Sequence, residues 1–100
     1  MSLEVRIEDE KGRPEGPTWW HPRSSELLCQ FESATSCLRF ADPYGDTVFN
    51  HLQIPVLIGE VQALAETAPD PEARSALRSL ITFLDQARDQ RHIYVRFFGD

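Results

Sequence analysis

Residues 3–8 read Leu-Glu-Val-Arg-Ile-Glu, apolar and charged in strict alternation. A period of two marks a half-buried strand, with Leu3, Val5 and Ile7 facing a core and Glu4, Arg6 and Glu8 facing water. Residues 9–13 form a charged turn. Gly12, Pro14, Gly16, Pro17 and Pro22 then exclude a helix over residues 12–23. Within that stretch, residues 18–21 (Thr-Trp-Trp-His) fit either a short return strand or an ordered loop. Ser24 or Ser25 could cap a short helix over Glu26–Glu32 that buries Leu27, Leu28 and Phe31. Residues 36–41 read as a strand and 42–46 (Asp-Pro-Tyr-Gly-Asp) as a turn. Residues 47–50 then form the second arm of a hairpin.

The period changes after residue 54. Leu57, Val61, Leu64, Ala65 and Ala68 recur at helical spacing behind Pro55, which suits a first helical turn. Ala73, Leu77, Leu80, Ile81, Leu84 and Ala87 repeat the spacing behind Asp70 as N-cap and Pro71 at the first helical position. Four residues between two such stripes predict an antiparallel helical hairpin. Residues 92–98 are β-branched and aromatic, a strand expected in the interior of a sheet. The order predicts an α+β fold: a small, mainly antiparallel sheet of about four or five strands, with the antiparallel two-helix hairpin packed on one face.

Composition narrows the class. One hundred residues suit a single domain spanning 1–100, and 41% hydrophobic with 26% charged residues is ordinary for a globular chain. Ten basic residues against sixteen acidic give a net charge of −6, acidic in both halves, which argues against a nucleic-acid partner. No apolar run approaches the ~18 residues of a membrane span, and the N-terminus lacks a secretory pattern. Cys29 and Cys37 are too few for a disulfide scaffold and are expected as free thiols of a cytoplasmic protein.

Residues 37–50 (Cys-Leu-Arg-Phe-Ala-Asp-Pro-Tyr-Gly-Asp-Thr-Val-Phe-Asn), followed by Leu52-Gln53, and the closing 94–100 (Tyr-Val-Arg-Phe-Phe-Gly-Asp) resemble a family of small, uncharacterised bacterial proteins. The resemblance spans roughly residues 37–66 and 92–100 and leaves the tryptophan segment outside. It implies a bacterial, intracellular origin and carries over no catalytic residue.

The candidate chemistry is sparse. Asp42 and Asp46 bracket Tyr44 in the central turn and would offer oxygen ligands or an acid–base pair if they converged, yet Asp before Pro is itself a turn starter. Cys29, Cys37, His21 and His51 lack the short chelating pair of a zinc site, so neither metal nor cofactor is expected. Nucleophile elbows and phosphate-cradling glycine loops are missing. Arg6, Arg39 and Arg96 fall at alternate strand positions and would form a row on a helix-free face, ion-paired across strands or recognising an anion. Trp19 and Trp20 are adjacent on an extended chain and so point to opposite sides. One is expected to pack inward, and the other to stand exposed or meet a partner, beside His21.

Two functions follow as expectations. The first is a non-enzymatic protein-interaction module, binding a protein or a second copy of itself through the sheet face and the tryptophan segment. The other is a small-ligand or catalytic site around the Asp42–Asp46 turn.

Overall fold

The computed structural model describes residues 3–29, 36–88 and 90–99. Among these residues four strands form one sheet: β1 (Leu3–Asp9), β2 (Trp19–Trp20), β3 (Asp46–Phe49) and β4 (Ile93–Gly99), in the order β2-β1-β4-β3 with every pairing antiparallel. The helices are α1 (Ser24–Leu28), α2 (Ile54–Glu66) and α3 (Pro71–Asp85). The α+β class is therefore present, and β4 lies in the interior as its composition predicts. β1 and β4 pair over their whole length, with Val5 opposite Phe97, Arg6 opposite Arg96 and Ile7 opposite Val95.

One face of this sheet is the core face. Leu3, Val5, Ile7, Trp19, Phe49, Val95 and Phe97 join Leu57, Val61, Leu77, Leu80 and Leu84 from the helices in one buried cluster. Phe49 meets Phe97 edge-on, with ring centroids 5.3 Å apart. The Trp19 indole Nε1–H donates to Ser79 Oγ of α3 at 2.9 Å, satisfying its polar atom where the ring is buried. α2 and α3 are in contact, and Arg74 Nε of α3 reaches the Ala65 carbonyl of α2.

Helix starts follow local chemistry. Asp70 takes the Ala73 N–H at 2.8 Å and Pro71 occupies the first turn of α3, as the sequence predicts. Ahead of α2 a reciprocal pair closes the turn that leads into the helix: Asn50 Oδ1 accepts from the Gln53 N–H, and Gln53 Oε1 from the Asn50 N–H. α1 is shorter than expected, and no serine caps it. Its N-cap is Arg23, and Ser24 Oγ instead accepts the Leu3 N–H at 2.8 Å, tying α1 to β1. The expected extension of this helix through Phe31 falls on residues 30–35, outside the described ones. The tryptophan pair forms the short return strand, β2.

The strand predicted over residues 36–41 is not one. Leu38–Phe40 is a turn of 3₁₀ helix, because the Glu60 carboxylate of α2 accepts the N–H groups of Ser36, Cys37 and Leu38. A carboxylate gathering three successive amides holds them pointing one way, which an extended chain cannot do. The hairpin predicted across the Asp42–Asp46 turn is accordingly replaced: β3 pairs with β4. Phe40 is 64% exposed, and Val48 is exposed on β3.

The turn itself is present. Asp42 Oδ1 accepts the Tyr44 N–H at 2.8 Å, and Gly99 N–H donates to the Gly45 carbonyl at 2.8 Å, seating the turn on the end of β4. A Cβ at Gly99 would come within 2.4 Å of the Asp42 carbonyl oxygen, so only glycine fits there.

Candidate interaction surface

Alternation along the strands decides which side chains leave the core face. The opposite face of the sheet takes Glu4, Arg6 and Glu8 from β1, Tyr94, Arg96 and Phe98 from β4, Asp46 and Val48 from β3, and Trp20 from β2. In register, Trp20, Glu4, Phe98 and Asp46 form one row across the strands; Arg6, Arg96 and Val48 form the next. Trp20 is 51% exposed whereas Trp19 is only 8% exposed, so the two rings divide between the faces as their adjacency requires.

On this face, beside the central Arg6–Arg96 pair, lies a carboxylate that strand alternation alone would send to water. Glu8 is only 2% exposed. Arg6 grips Glu8 Oε2 through Nε, at 2.7 Å, and through Nη2; Arg96 Nε donates to Oε1 at 2.9 Å. Arg96 Nη1 continues to Asp46 Oδ2 at 3.3 Å. The reason for burial is register. Arg6 and Arg96 stand opposite each other, and the carboxylate two positions along β1 is where both guanidinium forks reach it and close over it. The hydrogen bond to Glu8 leads the causes that raise the Arg96 pKa above its ordinary value. Both guanidinium groups also lie over the Phe98 ring, at 4.5 Å for Arg6 and 5.6 Å for Arg96. Beside this network, Glu8, Asp9, Glu10, Gly12, Val48, Tyr94 and Arg96 line a depression of about 200 Å³.

Two of the three arginines predicted for the row are therefore in it. Arg6 and Arg96 form it; Arg39 does not, because it sits in the 3₁₀ turn, exposed, with its guanidinium 5.3 Å from the Phe40 ring. His21 has a local role: Nδ1 accepts the Arg23 N–H at 3.1 Å, closing the bend that leads into α1. Asp42 is spent on its turn and Asp46 on Arg96, so the two carboxylates do not converge as a pair. No group of three or more His, Cys, Asp or Glu residues comes together as a metal site among the described residues. Both cysteines are free thiols.

Tyr44 belongs elsewhere. With Pro43 it forms one wall of an open cavity of about 500 Å³, whose other wall is Pro22, Arg23, Ser25, Glu26 and Cys29. Arg23 is already committed: it pairs with Glu26 at 2.8 Å and with Asp70 at 3.0 Å, and these bonds, the one to Asp70 foremost, hold its pKa above the ordinary arginine value. Burial, with Asp42 as a lesser cause, raises the Cys29 thiol pKa and keeps it protonated, the opposite of what a nucleophile needs.

Phe98 and Tyr94, absent from the candidates above, complete the face. Their signal was available in the alternation of residues 93–98, which sets Tyr94, Arg96 and Phe98 on one side. Glu60 had no comparable signal, since nothing near it in the chain names the amides it holds. No family model, curated protein or solved structure matches the chain. No helix among the described residues is long and apolar enough to cross a membrane.

Proposed function

We propose that this chain is a non-enzymatic protein-interaction module whose binding surface is the helix-free face of the sheet. One observation carries the reading: that face sets Trp20, Phe98, Tyr94 and Val48 around two arginines that a buried carboxylate holds in place. Tryptophan, tyrosine and arginine are the residue types that anchor protein interfaces. Side chains already fixed in position lose little freedom when a partner arrives, which favours binding by a preformed surface. Bacterial, cytoplasmic origin belongs to the same proposal and rests on the resemblance of residues 37–66 and 92–100.

The test compares immobilised wild-type chain with Trp20→Ala and Phe98→Ala as baits in a bacterial lysate, with quantitative mass spectrometry of what each retains. The expected result is a protein held by wild type and lost about thirtyfold from the Trp20 variant, as an anchor worth roughly 2 kcal/mol requires. Retention that neither substitution changes, with both variants folded, defeats the proposal.

A second reading, a small-ligand site at the central turn, draws support from the cavity between Pro43–Tyr44 and α1. Its walls are largely apolar and its volume suits a small molecule. A fragment screen read by NMR shifts would bear it out if hits perturb Tyr44 and Cys29 together. Hits scattered over the surface would set it aside.

A further inference from the structure

We infer that the partner this face fits is a second copy of the same chain, a proposal that rests on the reading of the sheet face given above. The two rows of the face carry opposite charge. Glu4 and Asp46 share the first row with Trp20 and Phe98; Arg6 and Arg96 share the second with Val48. A two-fold axis parallel to the sheet, running across the strands between these rows, lays each row over the other. Glu4 then faces Arg6 of the second copy, Phe98 faces Arg96, and Asp46 lies against Val48. The axis repeats every pairing, as an isologous interface requires. The other simple two-fold axis, along the strands between β1 and β4, would set Arg6 over Arg96 and is disfavoured by like-charge contact.

Glu4 is the residue that makes the argument specific. It is exposed near the centre of the first row and has no ion pair among the described residues, whereas every other charge in the two rows already has a partner. An arginine of a second copy would supply one. Size sets the strength. Central strands of seven residues at ~3.3 Å each, in a sheet of four strands ~4.8 Å apart, give a plan area of at most roughly 440 Å². That is below the ~800 Å² per partner of a standard interface, so the pair is weak and reversible.

Sedimentation velocity of the whole chain from about 10 μM to 1 mM covers the range in which such a pair forms. The expected result is a sedimentation coefficient that rises with concentration. Glu4→Lys sets a lysine over Arg6 and Val48→Glu sets a carboxylate over Asp46, and each should weaken association about tenfold or more. Arg78→Ala, exposed on α3 on the helix side of the sheet, should leave it unchanged, and unaltered thermal midpoints would show that all three variants fold. A chain that stays monomeric to 1 mM overturns the inference, as does a dimer indifferent to both face substitutions. If the chain is monomeric yet captures another protein in a Trp20-dependent manner, the second copy fails as partner while the sheet face stands. Failure of both experiments removes the face as well.

Discussion

Replacing Glu8 by alanine is the most direct test of the arrangement at the centre of the sheet. The wild-type carboxylate accepts from Arg6 through Nε and Nη2 and from Arg96 through Nε, and it is almost wholly shielded from water. Its removal leaves two guanidinium groups facing each other across β1 and β4 with a cavity between them. Breaking a buried ion pair by deleting one partner costs about 3–5 kcal/mol. The arginine side chains here are 29% exposed and can swing toward water, which lowers the expectation to about 2–3 kcal/mol. For a domain of this size that corresponds to a fall of roughly 10–20 °C in thermal midpoint. Glu8→Gln keeps an acceptor but turns an amide N–H toward an arginine, and should cost about half as much. The triple change Glu8→Leu, Arg6→Leu, Arg96→Met removes the charges together and should return most of the loss, since apolar replacements of buried ion groups are often neutral. Urea unfolding followed by circular dichroism gives the numbers by linear extrapolation. A Glu8→Ala variant within about 0.5 kcal/mol of wild type would refute the reasoning, because that is the cost of an ordinary surface change.

Three further outcomes are expected. Glu60→Ala should destabilise by about 2 kcal/mol through three lost charge-assisted bonds at a half-buried site, with faster hydrogen exchange at Cys37 and Leu38; unchanged exchange there would contradict the capping role. The Arg23 guanidinium, and next the Ala73 N–H, hold the Asp70 carboxyl below the usual carboxylate range. A lowered folded-state pKa contributes stability that is present above the unfolded value of about 3.9 and is lost as pH falls through the folded value. The gap in urea midpoint between wild type and Asp70→Asn should therefore close below pH ~4, and a gap constant down to pH 2 would count against it. Burial foremost raises both thiols above their ordinary values, and native Cys37, fully buried, should react with a thiol reagent at pH 8 at least about tenfold more slowly than partly buried Cys29, with two thiols released in urea; fewer than two would reveal a disulfide.

Much of the fold was legible because local signals and tertiary structure agree. The alternation of residues 3–8 and the helical stripes behind Pro55 and Pro71 each name an element and its buried side. The division of Trp19 from Trp20 follows from strand geometry alone. What escaped depends on contacts distant in sequence. Residues 36–41 have strand-like composition, and only the carboxylate of Glu60, more than twenty positions on, turns them into a 3₁₀ turn. Glu8 looks like any outward strand residue until β4 brings Arg96 beside Arg6. The surface was half visible for the same reason: Trp20 and Arg96 could be nominated from local pattern, but their neighbours depend on which strands pair. Asp42, Tyr44 and His21 drew attention by residue type, and two of them are occupied in local turns.

The pairing of β1 with β4 also bears on how the chain reaches this state. Residues 3–9 find their partners at 93–99, so the central seam of the sheet joins segments separated by nearly the whole sequence. Closing so long a loop costs entropy before any pair bond repays it, and topologies dominated by distant pairing fold slowly, in milliseconds to seconds. α2 and α3, adjacent in sequence, can meet first, but the strand that completes the seam is translated after both of them. During synthesis β1 is an unpaired, half-apolar strand, available to any exposed edge it meets. The three charged residues that alternate with its core positions, Glu4, Arg6 and Glu8, then act as its protection against mispairing before they serve the finished sheet.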